Sequence, residues 1–262
     1  MPAAFDLYLY RFFIVWYVIG VVLLSFHLVP PWLEWANVVF LITSGLLAVM
    51  FFYRSTARMI GIFIVLFIFF VSMFMESFGV HTGLFFGNYS YETDFGPKLA
   101  GVPVTIGFAW IMVIATSHVL AAPLLNKLHV LGRTLYALYG ALIATSLDLI
   151  LDPFAYEVKQ YWVWHDGGMY YDIPFTNFAG WFVLSFVLHL FLSLLLYRNG
   201  RWQNTRSFFW QKRMLYLYGM MAGMFIIVSV VNGLVLAPVL SILTLAVYYT
   251  VYRLLKREVQ VI

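Results

Sequence analysis

The chain has 262 residues, 64% of them hydrophobic and 10% charged, with a net charge of +4 and no cysteine. Soluble domains carry roughly 25% charged residues, so this composition and its long apolar runs belong to the membrane class. The lack of cysteine excludes disulfides, thiolate metal sites and a cysteine nucleophile, and nothing in the modest charge points to nucleic acid.

A spanning helix needs about 20 apolar residues. In chain order the runs that qualify are Tyr8–Val29, Leu33–Tyr53, Met59–Ser77, Val104–Ala122, Leu131–Leu151, Asn177–Tyr197, Met214–Val231 and Leu234–Tyr252. The first offers no small-residue cleavage site before Pro30 and Pro31, so it is expected to be a retained helix and not a cleaved leader. Pro103, Pro123 and Pro153 fall at predicted helix ends, where proline removes no needed donor. The last two runs are short and share the hinge Asn232-Gly233, so a six-span bundle with a re-entrant hairpin competes with eight spans. Either way the expectation is an all-α polytopic membrane bundle, 1–262 forming one membrane domain, with residues 76–182 as its motif-bearing core.

Basic residues set the expected orientation. Arg11, Arg54, Arg58, Lys127, Arg133, Arg198, Arg201, Arg206, Lys212, Arg213, Arg253, Lys256 and Arg257 fall on one side, and only Lys98 and Lys159 on the other. The positive-inside rule then puts both termini in the cytoplasm and the loops Thr82–Val102 and Pro153–Thr176 on the opposite face. The basic stretch Arg198–Arg213 reads as a topology signal attracted to anionic lipid. A multi-pass protein of the cell membrane is expected.

Carboxylates are costly at membrane depth, and there they are read first as functional. Most of those in this chain fall in two regions. One contains Glu76, His81, Glu92 and Asp94; the other runs from Asp148 to Asp172. Glu76 closes the third predicted span, where it either snorkels to the interface or is held inside for use. His81, taken alone, is more often a hydrogen-bonded structural residue. Gly79, Gly83 and Gly87 are spaced as a small-residue helix face, but the polar residues that follow favour turns.

Asp148 and Asp152 are the strongest pair. Four apart, they share one helix face if the helix runs through Asp152, although Pro153 disfavours helical geometry at the residue before it. Two close carboxylates in a low dielectric do not both ionise readily, so one is expected to keep a proton. Trp162, Trp164, Tyr170, Tyr171 and Trp181 surround the pair in sequence. They read either as an aromatic belt or as a slot for a long hydrophobic ligand whose ring faces steady a cation. Asn177 suits a helix cap or a water-orienting group. His27, His118 and His189 have no acidic neighbour in sequence and read as structural. There is no phosphate loop, no glycine-rich dinucleotide turn and no serine nucleophile elbow.

Taken together, two blocks are recognisable. The first is Glu76-Ser77-Phe78-Gly79 with His81-Thr82-Gly83, then Phe86-Gly87-Asn88-Tyr89-Ser90-Tyr91, Leu99-Ala100-Gly101-Val102-Pro103, and Trp110. The second is Asp148-Leu149, Leu151-Asp152-Pro153, Tyr161-Trp162-Val163-Trp164, Tyr170-Tyr171-Asp172-Ile173-Pro174 and Asn177-Phe178-Ala179-Gly180-Trp181. With these the chain resembles the carotenoid biosynthesis hydratase family, of the bisanhydrobacterioruberin hydratase and gamma-carotene 1'-hydratase type. Asp172 and Leu147 depart from residues common in that family. The resemblance implies hydration of a terminal isoprenoid double bond in a linear carotenoid to a tertiary alcohol, without a redox cofactor.

The residues suit that chemistry. Protonating an alkene needs an acid shielded from bulk water. Asp148 or Asp152 is the expected acid, with Glu76 or the other aspartate orienting the water and taking its proton. His81, Tyr89, Tyr91 and Asn177 are candidate hydrogen-bonding partners; Trp110, Trp164 and Trp181 are candidates for holding the polyene and steadying the cation. No metal is expected, although Glu76, His81, Asp148 and Asp152 are acceptable ligand types. The expected partners are the carotenoid in the bilayer, membrane lipids and, in association, other carotenoid biosynthesis enzymes. The alternatives are an aspartate-rich membrane prenyltransferase, which would need magnesium and nearby basic groups, and a carotenoid binder or transporter.

Overall fold

The computed structural model describes residues 3–92, 95–125, 131–198, 201–202 and 207–259. Asp94, Lys127 and Arg206 lie outside them. Eight helices follow one another: α1 Ala4–Ser25, α2 Trp35–Ser55, α3 Arg58–Thr82, α4 Val104–Leu125, α5 Gly132–Pro153, α6 Phe175–Leu196, α7 Phe208–Val231 and α8 Leu236–Val259. All eight contain a stretch long and apolar enough to cross a bilayer, and the chain is a multi-pass membrane protein. At 24 residues each, α7 and α8 are about 36 Å long, more than a hydrocarbon core of about 30 Å. They are two full spans and not a re-entrant hairpin. Eight spans also return residues 3 and 259 to the same end of the bundle.

Burial sorts the helices. In α4, 72% of the apolar window is buried, against 6% in α1. α4 is therefore the central helix, and α1 is a peripheral one that shows most of its surface to lipid. At its first turn α1 is tied down by buried Asp6, which accepts from Arg54 Nη2 on α2 (3.3 Å) and Trp210 Nε1 on α7 (3.4 Å).

Of the helix ends that differ from the sequence expectation, two shape the site. α3 continues past Ser77 to Thr82 and stops at Gly83, whose φ of 67° is the left-handed cap conformation that glycine adopts without strain. Gly79 therefore lies in the helix. α5 runs through Asp152 and Pro153 and then widens into one π-helical turn, Phe154–Val158. Proline there removes the donor that would have reached the carbonyl of Leu149. Tyr170 OH donates to that carbonyl instead, at 2.6 Å. With the carbonyl satisfied, the helix holds and Asp152 stays one turn above Asp148.

The loops at this end are short and paired. β1 (Tyr89–Tyr91) and β4 (Trp162–Trp164) form an antiparallel ribbon with Tyr89 opposite Trp164 and Tyr91 opposite Trp162. β2 (Lys98–Leu99) and β3 (Val102–Pro103) make a tight hairpin before α4. At the other end, β5 (Tyr197–Arg198) pairs with β6 (Arg201–Trp202).

Candidate functional site

Two acidic centres face one cavity. The first is Glu76, near the end of α3. Its Oε2 accepts from Tyr89 OH (2.5 Å) and Tyr91 OH (3.2 Å), and its Oε1 from Trp110 Nε1 (2.9 Å). Burial, reinforced by the neighbouring Glu76, pushes both phenols well above their ordinary range. They therefore remain protonated donors. With donors on both oxygens and no basic side chain among them, this carboxylate is held as an anion would be. Tyr89→Phe is expected to cost about 1.5–3 kcal/mol, the usual value of a hydrogen bond to a charged group. Tyr91→Phe should cost less, because its contact is longer. Thermal unfolding of the two variants in detergent checks the order.

The second centre is the aspartate pair. Asp148, Asp152 and Asn177 are all buried. The amide Nδ2 of Asn177, in the first turn of α6, donates one hydrogen to Asp148 Oδ2 and the other to Asp152 Oδ2, both at 2.8 Å. Trp162 Nε1 donates to Asp152 Oδ1 at 2.5 Å. α6 approaches closely enough because Gly180 carries no Cβ: a methyl there would sit 2.8 Å from the carbonyl oxygen of Phe85 and from the ring of Phe86.

The ribbon joins the two centres. Tyr91, a donor to Glu76, lies directly across from Trp162, the donor to Asp152. Trp164 packs on Tyr89 with ring centroids 4.9 Å apart. Trp110 and Trp181 stack at 4.2 Å and form the adjoining wall.

The cavity that all three carboxylates line has a volume of about 210 Å³. Beyond them its walls are mostly apolar and come chiefly from α1, α2, α4 and α7, with Phe40, Val113, Met224 and Phe225 among them. Among the described residues no lysine, arginine or histidine lines it. On its loop side, Lys159 Nζ pairs with Glu34 Oε1 (2.8 Å), and Asn37 Nδ2 donates to Glu34 Oε2 (2.6 Å) and to Tyr161 OH (3.0 Å). These contacts tie the α1–α2 connection to the loop before α6.

Of the residues expected from sequence, Glu76, Tyr89, Tyr91, Trp110, Asp148, Asp152, Trp164, Asn177 and Trp181 line this cavity. His81 does not. It is exposed at the end of α3, with Nδ1 2.8 Å from the carbonyl oxygen of Ser77 in its own helix. A ligand set of Glu76, His81, Asp148 and Asp152 is therefore not assembled, and among the described residues no group of three such side chains could hold a metal ion. Trp162, which by sequence reads as part of an aromatic belt or of a ligand slot, is a donor to Asp152. Its spacing of two from Trp164 was the available signal, since alternate residues of a strand share a face.

The model of the carotenoid biosynthesis protein family matches residues 36–248. The chain belongs to that family. Among curated proteins, bisanhydrobacterioruberin hydratase of Haloarcula japonica is 28% identical over 134 residues, 51% of this chain and 45% of the relative. The chain thus matches somewhat under half the length of that relative. No solved structure matches. For a family concerned with carotenoids, an apolar cavity that ends on buried carboxylates is the feature whose chemistry needs explaining.

Proposed function

We propose that this member of the family is a carotenoid hydratase, which adds water to the terminal isoprenoid double bond of a linear carotenoid. Asn177 bridging two buried carboxylates, at the end of a cavity with no basic side chain, is the observation that carries the reading. The end group enters with its double bond beside the aspartates. Asp148 is the proton donor, because it accepts one hydrogen bond where Asp152 accepts two, and the carboxyl with fewer donors gives up least by holding a proton. The alkene π pair takes that proton on its CH carbon. Positive charge is left on the carbon bearing two methyl groups. Water's oxygen bonds to that carbon, Asp152 accepts the released proton, and return of this proton to Asp148 resets the pair. The sum is alkene plus water to tertiary alcohol, with no change in electron count and no co-reactant. Glu76, fixed by Tyr89, Tyr91 and Trp110, holds the wall beside the aspartates, and the faces of Trp110 and Trp181 favour a cation. By the positive-inside rule the site lies near the non-cytoplasmic face.

Trp164 places the water. Its buried Nε1 makes no hydrogen bond of normal geometry, although Asp152 is its neighbour. A substrate water arriving beside Asp152 would accept from this indole. Trp164→Phe removes that donor and keeps an aromatic ring beside Tyr89. The cation should then lose a neighbouring proton more often than it captures water. The expected result is a lower yield of alcohol with double-bond isomers of unchanged mass in its place, read by chromatography with mass detection. Alcohol as the sole product at the wild-type rate would rule this role out.

Co-expression with a pathway that makes lycopene tests the function itself. A product heavier by one water, dependent on this chain, is expected. A five-carbon increment would instead indicate prenyl transfer. That alternative is disfavoured here, because a diphosphate next to three carboxylates without a cation would be an uncompensated buried charge. Bound pigment of unchanged mass would indicate a binder.

A further inference from the structure

The cavity holds an end group and not a whole polyene: pockets for drug-sized ligands run to about 300–1,000 Å³, against about 210 Å³ here. The rest of a long substrate must therefore leave the protein somewhere. On the loop side the way is closed by the Glu34–Lys159 pair with Asn37 and Tyr161. That side also leads to water, which a hydrocarbon chain avoids.

The lipid side is different. Trp16, Ile19, Gly20, Leu23 and Leu24 of α1 line the cavity. Their spacing of three and four makes them one helix face, with Gly20 at its centre. A Cβ built on Gly20 meets no atom within 4 Å. The direction in which a side chain at position 20 would project is thus open space on the cavity face. Ile19 beside it lines the cavity and is 50% exposed, so cavity and outer surface meet here. Gly20 lies about 8 Å below the end of α1 at Ser25, within the depth of the hydrocarbon. α1 is also the least buried helix. At this level its polar ties are Trp16 Nε1 to the carbonyl oxygen of Ala36 (3.2 Å) and Tyr17 OH to that of Met220 (2.9 Å).

We propose that the long chain of the substrate leaves the site sideways past Gly20 of α1 into the bilayer, and that the size of residue 20 determines whether a long-chain substrate is accepted. The notch serves an uncharged, rod-like isoprenoid, since nothing basic lines the path. The proposal rests on the site described above being where the end group reacts.

The test compares wild type, Gly20→Ala and Gly20→Phe, each purified in lipid nanodiscs. Lycopene bound per protein is read from its absorption spectrum. Hydration is read with lycopene and with myrcene, a ten-carbon hydrocarbon that has the same end group. The open space at residue 20 lets both variants fold, and their melting curves check this. Gly20→Phe is expected to lower lycopene binding and conversion roughly tenfold or more, as filling a hydrophobic subsite does, while myrcene turnover stays near wild type. Gly20→Ala should fall between. Undiminished lycopene binding by a folded Gly20→Phe variant overturns the proposal, as does an equal loss with myrcene. If wild type hydrates neither compound, the hydratase reading fails; lycopene binding still decides the route, with its loss in Gly20→Phe supporting it and its persistence overturning it.

Discussion

Asp148→Asn is expected to lower carotenoid turnover by about 10²–10⁴, the usual contribution of a positioned general acid, while leaving the fold intact. Asparagine has the shape of the acid, and its Oδ1 still accepts from Asn177 Nδ2, as Asp148 Oδ2 does at 2.8 Å. What is lost is the acidic proton. The product pattern separates this variant from the others. Without Asp148 no cation forms, so neither alcohol nor double-bond isomers should appear. Asp152→Asn leaves the acid in place and removes the acceptor of water's proton, so isomers should persist while alcohol falls. Mass-resolved product analysis of the two variants side by side decides between them. If Asp148→Asn still makes isomers and Asp152→Asn makes nothing, the two aspartates exchange roles. Full turnover in both would take the reaction away from this pair.

Asn177→Leu is expected to be the most destabilising change at the site. It deletes a donor shared by two buried acceptors. A buried polar group left without a partner costs about 1–3 kcal/mol; Asp148 loses its donor, while Asp152 keeps Trp162 and loses less, so the change takes a substantial part of a stability of about 5–15 kcal/mol. The loss comes from stranded acceptors and not from a missing attraction. Replacing all three residues with leucine should therefore recover part of the stability while leaving the protein inactive, since it strands one indole N–H, that of Trp162, in place of two carboxylates. Thermal unfolding in detergent of wild type, the single variant and the triple variant measures this. A single variant that melts with wild type would mean that Asn177 does not hold the pair.

The reach of sequence reasoning can be followed residue by residue. Apolar runs long enough for spans are a local property, and eight helices lie where eight runs were read. Asp148 and Asp152 were legible as a pair because a spacing of four is a helix neighbour. Asn177, Trp110 and Trp181 were legible through motifs, without the contacts they make.

What sequence could not supply was anything set by distant partners. Whether α5 survives Pro153 depended on Tyr170 taking the carbonyl of Leu149, a contact between residues on different elements. Whether His81 joins Glu76 depended on where α3 stops. Because the helix continues to Thr82, five residues turn His81 about 140° away from Glu76 at 3.6 residues per turn. Gly79 and Gly83 look alike as stop signals; packing selected the second, since Gly79 lies against Phe86 and Tyr89.

By itself the sequence determined that this chain crosses a membrane repeatedly as apolar helices and keeps a pair of aspartates near one end of them, because apolar length and helical spacing are written locally; the full length of α7 and α8, and with it the count of eight, came from the structure. Only the tertiary structure decided that Tyr91 and Trp162, from separate loops, face one another across a ribbon and serve different acids. It also decided that α1, which carries no motif, lines the cavity on its lipid side. Such contacts join residues far apart in the chain, and their energy comes from burial and shared hydrogens that exist only once the helices have packed.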